Sequence, residues 1–120
     1  MNKLSYGKMM RELEDTYGLS EKDTAMLRKV FSAFPDIERV LLYGSRALGT
    51  YTNSSDIDLC CFGSAITLSQ VFQLEQAIDD LLLPYKVDIS RFNHIDNPDL
   101  KAHILRAGQL FYAREDVASL

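Results

Sequence analysis

The sequence has no tryptophan, two cysteines and two histidines among its 120 residues. Cys60 and Cys61 are adjacent, so on an extended strand they point to opposite faces and are poorly placed to bridge each other. With no Cys-x-x-Cys and no His-Cys cluster, zinc spacing is absent. Two reduced thiols suit a cytoplasmic protein. No apolar run approaches the roughly 18 residues that a membrane span requires. Lys8, Arg11, Glu12 and Glu14 interrupt the N-terminus, so no signal-peptide core is visible there. Positive charge is scarce: 13 Lys and Arg stand against 17 Asp and Glu, a net charge of −4. A general nucleic-acid binder needs a basic face and is disfavoured. No internal repeat, low-complexity tract or linker divides the chain.

What is present reads as one small domain over residues 20–120, preceded by a helical extension over 1–19. Met9, Met10, Leu13 and Tyr17 form a partial apolar stripe over Leu4–Tyr17, and Gly18 stops it. Ser20 is an N-cap with Leu27, Val30, Phe31 and Phe34 at helical spacing beyond it. Arg39–Tyr43 reads as a buried strand, Ser45–Leu48 as one helical turn, and Asp56–Phe62 as a second strand. Leu68, Val71, Phe72, Ile78, Leu81 and Leu82 outline an amphipathic helix that Pro84 ends. Tyr85–Ser90 is a third strand. Asn97-Pro98-Asp99 opens a last helix, with Leu100, Ile104 and Ala107 on its apolar face and Gly108 at its end. Leu110–Tyr112 adds a short strand. Helices alternating with strands predict an α/β (α+β) fold of two layers, a small mixed sheet packed with helices.

The chemistry concentrates in two strand ends. Side chains at i and i+2 share a face of a strand, which places Asp56 and Asp58 on one side, about 6.6 Å apart along the chain. Two close carboxylates repel unless a cation lies between them, and Mg²⁺ takes one or two carboxylates together with substrate phosphates and water. A third acid, Asp88, sits between Val87 and Ile89 in the next strand, where an acid is costly unless paired or metal-bound. Adjacent strands would bring all three to one side, able to hold metal or polarise an attacking hydroxyl. Gly44 lets a ligand approach the backbone as a helical turn begins, Ser45 adds a hydroxyl, and Arg46 could add a cation. No Gly-Lys-Ser/Thr follows, so this is not a Walker A loop. His94, His103, Lys86 and Arg91 read as surface or packing residues, and Tyr43 as a strand tyrosine that could stack on a base.

Gly44-Ser45, ten intervening residues, Asp56-x-Asp58 and Asp88 in a Val-Asp-Ile strand together resemble the DNA polymerase β-type nucleotidyltransferase superfamily. The small size resembles its minimal nucleotidyltransferase (MNT) branch. The resemblance implies the polymerase β palm-like fold and a nucleoside triphosphate, ATP or another, seated at Gly44, Ser45 and Arg46. It implies Mg²⁺, with Mn²⁺ as the alternative, on Asp56 and Asp58, and Asp88 as further metal ligand or base. MNT proteins resemble antitoxins of two-gene modules whose partner is an all-helical HEPN toxin, and some transfer AMP to a toxin tyrosine. The expectation is therefore transfer of a nucleoside monophosphate to a HEPN-type partner, with no membrane and no direct nucleic-acid contact. Two other readings remain. One is a binding module that neutralises its partner without catalysis. The other is a small-molecule nucleotidyltransferase whose acceptor pocket a homo-oligomer would complete.

Overall fold

The computed structural model describes residues 15–118. A hairpin opens it: β1 (Asp15–Thr16) pairs antiparallel with β2 (Leu19–Ser20). Tyr17 and Gly18 between them have φ of 61° and 72°. Two successive positive φ values form the turn whose twist suits a two-residue hairpin. The expected helix over Leu4–Tyr17 thus gives way to a strand and turn at its C-terminal end, and the rest of it lies outside the described residues.

Helix α1 (Glu21–Ser32) starts at Ser20, whose Oγ accepts from the Asp23 amide at 3.1 Å. Strand β3 (Arg39–Tyr43), the turn α2 (Ser45–Leu48) and strand β4 (Ile57–Phe62) follow. Helix α3 (Leu68–Asp79) begins with a capping box in which Thr67 and Gln70 satisfy each other's backbone amides. It stops at Asp79, short of the expected Pro84. Leu82 has a φ of 57° and is 87% exposed, so it continues neither the helix nor its apolar stripe. Strand β5 (Val87–Arg91), a 3₁₀ turn (Phe92–His94), helix α4 (Pro98–Ala107), strand β6 (Gln109–Ala113) and helix α5 (Glu115–Ala118) complete the order. Asn97 caps α4 as its sequence predicts, accepting from the Asp99 and Leu100 amides.

The sheet order is β5-β4-β3-β6. β3 runs antiparallel to β4 and to β6, whereas β4 and β5 are parallel, joined through α3. The sheet is therefore mixed, as expected. Val40, Leu42, Ile57, Leu59 and Cys61 point from the two central strands into the main core. There they meet Leu27 and Phe31 of α1 and Val71, Leu74 and Ile78 of α3. Alternation sends Tyr43, Asp58 and Cys60 to the other face. α4 packs against β3 and buries Ile104 outside the main cluster. No helix among the described residues is long and apolar enough to cross a membrane.

Candidate active site

Parallel pairing puts Asp58 of β4 directly beside Asp88 of β5, on strands about 4.8 Å apart. Asp58 is also the register partner of Tyr43 in β3. One row thus crosses three strands as Tyr43, Asp58, Asp88, on the face away from the main core. Asp56 lies one residue before β4, exposed at the mouth of the strand.

The charges act on one another. Burial pushes the Asp58 carboxyl above its ordinary range, the Asp88 and Asp56 charges push it further, and Lys86 pulls it back. Burial also raises the Tyr43 hydroxyl, against a lowering influence from Ser90, two residues beyond Asp88. Gly44 closes the site from the backbone side. Its φ is 77°, and a Cβ there would stand 2.4 Å from Asp58 Oδ2. Only glycine lets the chain pass this close to the carboxylate and still turn into α2.

The sequence expects three convergent acids, and the structure brings Asp58 and Asp88 side by side with Asp56 within Coulombic reach. Among the described residues no three His, Cys, Asp or Glu side chains are drawn together into a ready metal cage. The donor set nonetheless fits a hard divalent cation in kind: these are carboxylate oxygens whose mutual repulsion a cation would relieve. Phosphate oxygens and water would complete the coordination.

Arg46 is not placed to hold a phosphate, and here the expectation is corrected. It is 1% exposed. Its Nε and Nη2 donate to the Ser55 carbonyl at 3.2 and 2.9 Å, and its Nη1 donates to the Tyr17 carbonyl at 2.9 Å. Tyr51 and Tyr85 flank the guanidinium. A side chain so enclosed by its own protein has no free face for a triphosphate. Arg91 is likewise engaged, donating to the Ile66 carbonyl. His94 is exposed in the 3₁₀ turn, and His103 is half-buried on α4. Ser90, beside Cys60 and two residues beyond Asp88 on the same face, is a neighbour of the row that sequence reasoning missed; its signal was that two-residue spacing.

Several solved structures share this fold. A chain of a toxin–antitoxin complex with AMP-PNP superposes with a TM-score of 0.62 at 20% identity, over 82% of this chain and 77% of that one. A chain of the tri-AMPylated Shewanella oneidensis HEPN toxin in complex with MNT antitoxin gives 0.59 at 15%, over 82% and 76%. A chain of the toxin–antitoxin MntA-HepT gives 0.59 at 16%, over 83% and 79%. No curated protein sequence matches the chain significantly. The family model for polymerase beta, nucleotidyltransferase, matches residues 25–117. That span runs from α1 to α5 and contains the glycine turn and all three acids, so the chain belongs to the polymerase β-type nucleotidyltransferase family.

Proposed function

We propose that the protein transfers a nucleoside monophosphate, AMP from ATP, to a hydroxyl on a HEPN-type protein partner, as the antitoxin of a toxin–antitoxin module. The observation that carries the chemistry is the register of Asp58 with Asp88, beside a glycine whose backbone abuts Asp58. The similarity of the fold to chains from MNT–HEPN complexes, one with AMP-PNP and one with an AMPylated toxin, supports the choice of nucleotide and partner.

In this reading the Gly44-Ser45 turn seats the outer phosphates against the mouth of β4. Asp56 and Asp58 would hold Mg²⁺, which when bound neutralises charge on the triphosphate. The acceptor oxygen attacks the α-phosphorus, the bond from that phosphorus to the bridging oxygen breaks, and pyrophosphate leaves. Asp88, beside Asp58, would take the acceptor's proton. Positioning and charge supply most of the rate in phosphoryl-type transfers.

Intact-protein mass spectrometry tests this. The protein is mixed with its HEPN partner, ATP and Mg²⁺, beside an Asp56→Asn/Asp58→Asn double variant. One or more AMP units should appear on the partner with the wild type and none with the variant. Transfer that survives the double change sinks the assignment. A stable complex without any transfer would make the protein a binding module instead.

A further inference from the structure

We propose that Arg46 is a positioning residue that sets the spacing of the two acid-bearing strands at their mouth. The proposal rests on the nucleotidyltransferase reading for its functional consequence, but its structural content stands alone.

The guanidinium touches the segments that lead into Asp56 and Asp88. Two of its donors hold the Ser55 carbonyl, one residue before Asp56. One face meets the ring of Tyr85, three residues before Asp88, with 4.8 Å from the guanidinium carbon to the centroid. Tyr51, within the loop that runs from α2 to Asp56, lies 5.2 Å away. The third hydrogen bond reaches the Tyr17 carbonyl in the β1–β2 turn. Gly18 is needed there because a Cβ would come within 2.8 Å of Arg46 Nη1 and 2.4 Å of Tyr51 Cε2. Just inside this hub the two acid strands are joined by a bond from the Ile57 amide to the Lys86 carbonyl at 2.9 Å.

This arrangement gives a physical meaning to the interval between Ser45 and Asp56. Arg46, at the start of the interval, reaches across and binds its last carbonyl, so the loop closes on its own first turn. Burying a cation this completely is costly unless its donors are met. Carbonyl dipoles and two aromatic faces hold this one. Lysine keeps the charge but cannot fork onto Ser55 while reaching Tyr17. A core residue needed only for stability could be replaced with uniform loss across the molecule. A positioning residue should loosen the mouth of the site first.

Amide hydrogen exchange by NMR on the full chain separates these cases. Arg46→Lys and Arg46→Met are compared with the wild type, and Tyr85→Leu removes one stacking face as a milder variant. The reporters are the Ile57 amide and the Ser55 amide, which donates to the Thr52 carbonyl at 3.1 Å. Leu42 and Leu59, paired in the centre of the sheet, serve as controls. The reporters should exchange about tenfold faster in Arg46→Lys, with the controls little changed. Tyr85→Leu should shift Ile57 the same way by less, and it still reports if the arginine variants fail to fold. Mn²⁺ alone, followed by paramagnetic broadening at Asp56, Asp58 and Asp88, should need about tenfold more metal in Arg46→Lys. Reporters and controls that accelerate together, or reporters that do not move, overturn the proposal. A wild type that binds no Mn²⁺ counts against the nucleotidyltransferase reading, and the exchange pattern still decides the role of Arg46.

Discussion

Gly44 and Asp58 exclude each other's alternatives. With a φ of 77° and a Cβ position 2.4 Å from Asp58 Oδ2, Gly44→Ala must either strain the backbone or displace the carboxylate. The cost of such a glycine-only conformation is roughly 1–3 kcal/mol. Urea denaturation should show a loss of that size, and nucleotide transfer should fall by more than the unfolded fraction explains. Asp58 itself carries a second expectation. Its pKa is raised above 3.8 in the folded state, by burial first and then by Asp88 and Asp56. The stability linked to it is therefore fully present below 3.8 and is lost as pH rises through the folded value. Asp58→Asn should melt higher than the wild type at neutral pH, with the gap closing as pH falls towards 3.8. A gap independent of pH in thermal melts would show that carboxylate charge is not the cause. Such a gain in stability from removing a site residue is the usual trade between stability and activity.

The crossover β4-α3-β5 is the element on which the site depends, because it fixes β5 parallel to β4 and hence Asp88 beside Asp58. Its start is held by the Thr67–Gln70 capping box. Thr67→Ala should cost about 1 kcal/mol, read by denaturation, with transfer unchanged below the melting range. Much of this was legible beforehand. Short β-prone apolar runs marked the strands, Ser20 and Asn97 marked helix starts, and the two-residue rhythm put Asp56 and Asp58 on one face, with Asp88 joining them once its strand lies beside theirs. Three things were not legible. The hairpin at Tyr17-Gly18 needs a non-glycine residue at positive φ, which tertiary contact imposes and no local preference announces. The end of α3 at Asp79 was hidden by Leu81 and Leu82, which extend the apolar rhythm although Leu82 is exposed. The burial of Arg46 depends on Ser55, Tyr17 and Tyr85, which converge only in the folded chain, so its charge read as available for phosphate.

The whole molecule carries a net charge of −4, and its candidate site is a row of acids. A triphosphate approaching alone meets like charge both at long range and in the site. Calorimetry with ATP in the presence of a chelator should therefore give binding about tenfold or more weaker than with Mg²⁺. Equal affinity in the two conditions would mean that the nucleotide is held away from the acid row.

Cys60 and Cys61 occupy consecutive places on a strand flanked on both sides. Both are buried, and burial, followed by the neighbouring Cys60 charge, pushes the Cys61 thiol up to about 12. Native thiols so protonated and enclosed are nearly inert to alkylation. The chain therefore carries its own clock for opening of the sheet: a reagent in excess marks molecules only when β4 is released. Because the two thiols face opposite sides of that strand, doubly marked chains report its complete release, and singly marked ones report exposure of one face. Ligands that bind only the closed form must slow the clock. Labelling with and without Mg·ATP thus measures occupancy of the site without assaying any reaction.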